Sequence, residues 1–154
     1  MQVFEVTAQY HLVRLGDDEA LNKSEKIAEY MAGAFDDSPL TEAVWVIALN
    51  QKMRPLGRTK ISSGNLTSSI VHPREVFRFL VMVSAAHFAL AHNHPSGNPE
   101  PSRPDMAVTK QMLDAGKIMG IDLVDHVVIG RCEDDPKHRG FFSFADAGLI
   151  GGAA

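Results

Sequence analysis

Residues 92–105 read HNHPSGNPEPSRPD, and this segment constrains the fold more than any other part of the chain. Its four prolines lack a backbone donor and clash with a preceding helical turn, so the segment can form neither a helix interior nor the centre of a sheet. It must be a shaped loop between two regular elements. Because proline fixes the backbone angle φ, such a loop holds polar side chains in one geometry at a small entropic cost.

The composition indicates one globular domain. A length of 154 residues is enough to bury a substantial core. No apolar run approaches the roughly twenty residues of a membrane span, and the N-terminus lacks the pattern of a secretory signal. The single cysteine, Cys132, excludes an intramolecular disulfide, and the formal charge of −4 disfavours tight non-specific binding to DNA or anionic lipid. We therefore expect a soluble, cytoplasmic protein.

Apolar periodicity predicts strands and helices joined by short connections. The opening VFEVTAQYHLVRL alternates apolar and polar residues and is predicted to be a strand; a helix capped by Asn22 and Glu25 follows. The remaining predicted elements are a strand over 44–50, its hairpin partner over 58–64, a helix from Pro73, a buried strand over 85–92, a helix ended by Gly120, and strands over 121–130 and 141–144. The order β-α-β-β-α-β-α-β-β predicts an α/β or α+β fold in which helices flank a mixed sheet.

Residues at helical spacing mark the faces of these helices that we expect to pack in the core. They are Ile27, Tyr30, Met31 and Ala34 in the first helix, Val76, Phe77, Leu80 and Val81 in the second, and Met106, Val108, Met112, Leu113, Ile118 and Met119 in the third.

Two histidines at the start of the proline-rich loop have the spacing of metal ligands. Residues two apart on a strand point to the same side, so His92 and His94 can bring both imidazoles to one point if strand geometry persists. A catalytic zinc needs a third protein ligand and an open position, and Asp105 is the nearest carboxylate that a curling loop can return to this point. A purely structural role stays open for the same residues, because Ser102 and Asp105 also fit a capping box and Pro104 suits a helix start.

The spacing HxHP, six residues, SxxD over residues 92–105 resembles the metal motif of the JAMM (MPN-plus, JAB) metallopeptidase superfamily. More narrowly, this segment is similar to the RadC family together with VHPREV at 71–76 and DHVVIG at 125–130. The similarity extends over residues 42–150. It implies a JAB/MPN-like fold, with the three-layer architecture that cytidine deaminases also have. On this basis residues 1–41 are an N-terminal strand and helix extension, 42–150 the zinc domain and 151–154 a tail.

The resemblance also implies the chemistry of the site. In the superfamily two histidines and an aspartate hold zinc, which assigns one zinc per chain to His92, His94 and Asp105. A glutamate acts as general base on the zinc-bound water, and the best match is Glu42, immediately before VWVIALN, although a solvated loop position stays open for it. The motif serine, Ser102, would stabilise the developing negative charge. Other divalent ions also suit this set of ligands.

His126, in the predicted strand over 121–130, has two interpretations. It fits either a hydrogen-bond partner of a metal ligand or a core histidine with its own local partners, and we favour the core role. Cys132 has no partner cysteine and no activating neighbour in the sequence, so we expect it to be structural or exposed.

The resemblance implies a zinc-dependent hydrolase that cleaves a peptide or isopeptide bond through a zinc-activated water, with an unknown peptide or protein as substrate. The alternative is a RadC-like protein of DNA repair or mobile-element maintenance that acts on or near nucleic acid without peptidase activity. Full-length RadC proteins carry a helix-hairpin-helix region before the metal domain, and this sequence lacks its glycine-marked hairpin. No membrane partner is expected, and the oligomeric state stays open.

Two other classes of zinc protein are weaker matches. A zinc deaminase is set aside because the sequence lacks the His-x-Glu and Pro-Cys-x-x-Cys pair of such enzymes. A structural zinc module stays open, although structural sites usually have four protein ligands rather than three.

Overall fold

The computed structural model describes residues 1–13, 19–37, 39–64 and 71–150, and within them five strands form one mixed sheet. The regular elements in chain order are α1 Ser24–Tyr30, β1 Ala43–Leu49, β2 Pro55–Ser63, α2 Pro73–Met82, β3 His87–Asn93, α3 Arg103–Met119, β4 Asp122–Ile129 and β5 Phe141–Ser143. A short 3₁₀ helix, Cys132–Asp134, lies between β4 and β5.

The strands lie in the order β2-β1-β3-β4-β5. β1 is antiparallel to both of its neighbours, β3 is parallel to β4, and β4 is antiparallel to β5. A parallel pair needs a long crossover, and α3 supplies it between β3 and β4. The prediction of a mixed sheet flanked by helices is therefore confirmed.

The helices cover both faces of the sheet, which gives three layers. Residues of α1 such as Ile27 pack with Ile47 and Ala89 on one face. Residues of α2 and α3 pack with Val46 and Leu90 on the other. The central strands β1 and β3 are consequently buried on both sides, which explains their almost continuous apolar sequence. In the described ranges, no helix combines the length and the apolar character that a bilayer span needs.

Two predictions for the N-terminal part are wrong. Residues 1–13 form neither helix nor strand and are exposed, while residues 14 and 15 of the predicted strand lie outside the described residues. Alternation predicts which side chains share a face, but a strand also needs a hydrogen-bonded partner. The expected cap of α1 is also not observed, because Lys23 is the N-cap and no side chain caps the helix. The division into a 1–41 extension and a 42–150 domain stays a prediction.

The core face of α3 is narrower than its apolar residues predict. Its buried residues are Asp105, Val108, Thr109, Met112 and Gly116, which follow the spacing of a single helical stripe. Ile118 lies two residues beyond that stripe, on the opposite side of the helix, and is 85% exposed. Met106 and Met119 are also exposed, as is Val81 in α2.

We expect replacement of Met112 by alanine to lower the free energy of unfolding by about 2–5 kcal/mol, because it removes a fully buried side chain and leaves a cavity. The matched control is Ile118→Ala on the same helix, which should change stability by less than about 0.5 kcal/mol. Urea denaturation followed by circular dichroism measures both. Equal losses in the two variants would contradict this placement of the core.

Candidate metal centre

The two histidines of the HNH sequence lie where β3 ends. His92 is within the strand, and the backbone N–H of His94 donates to the carbonyl of Ile129 at 2.8 Å, so the pairing with β4 continues beyond the last strand residue, Asn93. Strand geometry therefore persists through both histidines, and their rings lie on one face with centroids 4.9 Å apart.

The loop over 95–101 is held against the segment that follows β4. The N–H of Gly97 donates to the carbonyl of His94 at 2.9 Å, and the N–H of Arg131 donates to the carbonyl of Gly97 at 2.7 Å. Gly97 has a φ of +91°, which favours glycine. A Cβ at this position would also meet the Asp134 carboxylate and the Arg131 guanidinium, the ends of two exposed side chains that would have to shift. The turn directs the chain back to the sheet face on which α3 begins.

Ser102 and Asp105 form the capping box that the sequence indicates. The N–H and the hydroxyl of Ser102 donate to Oδ2 of Asp105 at 2.6 and 2.7 Å, and the N–H of Asp105 donates to the Ser102 hydroxyl at 3.3 Å. The structural interpretation of these two residues is thus correct for the Ser102 hydroxyl and for Oδ2. It does not explain Oδ1 of Asp105, which takes no part in the cap and lies 3.2 Å from Nε2 of His92.

Three side chains converge at this point of the fold. Nε2 of His92 lies 3.0 Å from Nε2 of His94 and 3.2 Å from Oδ1 of Asp105, and Nε2 of His94 lies 3.3 Å from Oδ2 of Asp105. The side chains of His92 and Asp105 are 0% and 1% exposed, whereas His94 is 11% exposed, so the cluster opens to solvent at His94. These residues could hold a metal ion.

The donor set fits a tetrahedral divalent ion. Zinc bonded to nitrogen and oxygen at about 2.0–2.1 Å separates neighbouring ligand atoms by about 3.3–3.4 Å. The two Nε2 atoms are 3.0 Å apart, and Nε2 of His92 is 3.2 Å from Oδ1 of Asp105, which is close to that separation. Oδ1 of Asp105 is buried and has no hydrogen-bond donor in the described part of the chain. An unpaired buried carboxylate oxygen is costly, and a cation between the three side chains would remove that cost.

The protonation of the cluster follows from burial and from these contacts. Burial lowers the pKa of His92, because it disfavours the charged imidazole more strongly than Asp105 favours it. Burial also opposes protonation of His94, but hydrogen bonds with Asp105 and with the carbonyl of Asn98 outweigh it and raise the pKa of His94 above its usual value. The two histidines likewise outweigh burial at Asp105 and hold its pKa far below the usual range. A proton on His94 can therefore take the place of the metal.

Glu42 lies at the edge of this cluster. It immediately precedes β1, two residues before Val44, which pairs with His92, so strand alternation places it on the face that carries the histidines. The negative charge of Glu42 favours the protonated form of His92 and of His94, although its effect on their pKa is smaller than those of burial and Asp105. Asn93 fixes the backbone next to Glu42, because its side-chain oxygen accepts from the N–H of the following residue, Ala43, at 2.8 Å.

Two residues of the site, Asn93 and Thr109, are not among the candidates that we named from the sequence. Asn93 sits between the two histidines, and strand alternation alone could have indicated that it faces away from them. Thr109 lies four residues after Asp105 on α3, hence on the same helical face, and its hydroxyl is 2.6 Å from Nδ1 of His126.

His126 combines the two interpretations that the sequence left open. It is buried, as a core histidine is, and its Nε2 is 2.8 Å from Nδ1 of the candidate ligand His92.

Comparisons with known proteins agree with this geometry. A sequence model of the "RadC-like JAB domain" family matches residues 21–149. A "UPF0758 protein" of Desulforamulus reducens is 52% identical over 104 residues, which cover 68% of this chain and 43% of the relative. Another from Geotalea uraniireducens is 38% identical over 146 residues, covering 95% and 60%. The chain spans about half the length of these relatives, whose name states no activity.

We expect His94 to titrate above its usual pKa of 6.5 in the metal-free protein, because its protonated ring is paired with Asp105 and Asn98. Zinc requires the neutral ring, so zinc affinity should rise as the pH increases through the pKa of His94. Carbon-detected or proton-carbon NMR titration measures the pKa. The Asp105→Asn variant should lower it, and a pKa below 6.5 in the parent protein would contradict the proposed proton.

Proposed function

Because the chain belongs to the RadC-like JAB domain family, we propose that it is a zinc-dependent hydrolase that cleaves a peptide or isopeptide bond. The observation that supports this most strongly is the convergence of His92, His94 and Asp105, with one carboxylate oxygen left without a donor. Three protein ligands with a solvent-facing side are typical of catalytic zinc, whereas structural zinc usually has four protein ligands.

Zinc, when bound, would lower the pKa of a water ligand to about 7 and polarise the scissile carbonyl. The protein residues supply the remaining functions. Glu42, on the same face of the sheet, is the proposed general base that accepts a proton from the attacking water and delivers it to the leaving amine. Buried His92 and Asp105 hold the rigid side of the site, and the more exposed His94 marks the side from which substrate approaches.

Ser102 is the proposed donor to the negative charge that develops on the substrate oxygen. In the present arrangement its hydroxyl donates to Oδ2 of Asp105 at 2.7 Å. To bind a substrate oxygen, that hydroxyl would have to leave Asp105, whose Oδ2 keeps the bond from the Ser102 N–H. Ser102 therefore combines two roles in this proposal, because it orients a ligand and can turn its hydroxyl toward substrate.

A peptide or protein is the substrate that we propose. The formal charge of −4 offers no general attraction to a phosphate backbone, so action on nucleic acid has no support from charge. An amide carbonyl, by contrast, is the group that a zinc ion, a carboxylate base and a hydroxyl donor are suited to activate.

The metal site is tested by metal content. We expect near one zinc per chain in the protein purified with zinc, and none in His94→Ala or Asp105→Asn, since each change removes a ligand. Asparagine keeps an oxygen that can accept from the Ser102 N–H, so helix α3 should remain folded. The control is Asp114→Asn, an exposed carboxylate on the same helix that should leave zinc content unchanged. Equal zinc in all four proteins would show that the metal binds elsewhere.

The hydrolytic step is tested with zinc-loaded protein on a panel of fluorogenic peptides and lysine isopeptides. We expect release of amine that a chelator abolishes and zinc restores. Glu42→Gln should lower the rate about 10²- to 10⁴-fold with zinc content unchanged, because it removes the proton acceptor. Glu75→Gln, on the surface of α2, is the matched control. An active Glu42→Gln variant would exclude Glu42 as the base.

A further inference from the structure

A chain of buried hydrogen bonds leads away from His92 on the side opposite the ligand cluster. Nδ1 of His92 is 2.8 Å from Nε2 of His126, and Nδ1 of His126 is 2.6 Å from the hydroxyl of Thr109. The hydroxyl of Thr109 in turn donates to the backbone carbonyl of Asp105 at 2.7 Å. His92, His126 and Thr109 are each at most 2% exposed, so water does not compete for these bonds.

The donor and acceptor of each hydrogen bond in this series can be assigned, starting from Thr109 and ending at His92. A carbonyl only accepts, so the single hydroxyl proton of Thr109 is committed to Asp105, and the Thr109 oxygen must accept from Nδ1–H of His126. A neutral imidazole carries one proton, which leaves Nε2 of His126 as an acceptor. It can then bond His92 only if His92 carries its proton on Nδ1. Nε2 of His92 consequently has a free lone pair that faces His94 and Asp105.

We propose that His126 and Thr109 are positioning residues that fix the tautomer of His92 so that its Nε2 is always available to a metal ion. The inference rests on the proposed metal site. Without an acceptor at Nδ1, the proton of His92 could occupy Nε2 and block the ligand atom. The series of hydrogen bonds also ends on the backbone carbonyl of Asp105. The same bonds therefore order His92 on β3 and the first turn of α3, which carries Asp105.

His126 itself is held in one orientation by its surroundings. Its ring stacks on that of Phe144, with centroids 4.8 Å apart and planes 11° from parallel. The ring therefore cannot exchange its two nitrogens by rotation without moving a buried aromatic side chain, because Phe144 is 1% exposed. Packing thus supports the direction of hydrogen bonding that Thr109 determines.

The test uses two pairs of variants. In each pair one variant removes a hydrogen-bonding group and the other retains it. Thr109→Val has nearly the shape of threonine but lacks the hydroxyl, whereas Thr109→Ser retains it. His126→Leu removes the acceptor for His92, whereas His126→Gln can place an amide oxygen where Nε2 lies. Each protein is compared with the parent by circular dichroism, so that loss of the fold is recognised before the metal site is assessed.

Two readouts separate positioning from a merely structural role. Long-range ¹H–¹⁵N correlation spectra of the metal-free proteins identify which nitrogen of His92 carries the proton. Zinc affinity is measured by competition with a chelating dye. We expect Nδ1–H on His92 in the parent, in Thr109→Ser and in His126→Gln. The zinc affinity of these two variants should equal that of the parent. In Thr109→Val and His126→Leu we expect mixed tautomers and an affinity about 10- to 100-fold weaker.

The inference is overturned if folded Thr109→Val and His126→Leu both retain Nδ1–H on His92 and the zinc affinity of the parent. Failure of the proposed function gives a different result. If the parent takes up no zinc, the hydrolase proposal fails, and the tautomer spectra of the metal-free parent and Thr109→Val still decide whether these residues set the state of His92.

Discussion

The hydrogen bond from the His94 N–H to the carbonyl of Ile129 extends the parallel pairing of β3 and β4 beyond the last residue of β3. The position of every other part of the site depends on this pairing. It directs His92 and His94 to one face, and its register places His126 opposite Leu90, two residues before His92 on that face. The crossover that a parallel pair requires is α3, whose first turn carries Asp105. One pairing of strands therefore brings together groups that are distant in sequence.

The same arrangement concentrates electron-rich atoms that a cation would stabilise. When both imidazoles are neutral, a carboxylate and two nitrogen lone pairs face one another within 3.0–3.3 Å, in a place from which water is largely excluded. His126, behind the site, adds no positive charge, because burial holds its pKa well below its usual value. Such a set has affinity for a cation. In the metal-free protein a proton on His94, whose pKa is raised, supplies that charge.

The features that could be predicted from sequence are those that depend on local pattern. The apolar runs of β1 and β3, the capping box at Ser102 and the two-residue spacing of His92 and His94 each have a short-range cause. Alternation in residues 3–13 predicted a strand, but alternation does not identify a partner, and the structure has none there. The contact of His126 with His92 depends on the register of β3 against β4, which is not a local property. Helical spacing similarly could not show that Ile118 lies off the buried stripe.

Asp105 has a structural role through one of its carboxylate oxygens, and this affects what a comparison of relatives of this protein can show. Oδ2 caps α3, so selection for the fold alone would retain an aspartate at this position even in a lineage that no longer binds metal. The Nε2 atoms of His92 and His94 have no such structural task, because each ring makes its supporting bond through Nδ1. During evolutionary drift, the histidines should therefore be lost before the aspartate. The histidine pair is the more informative marker of which descendants keep the chemistry.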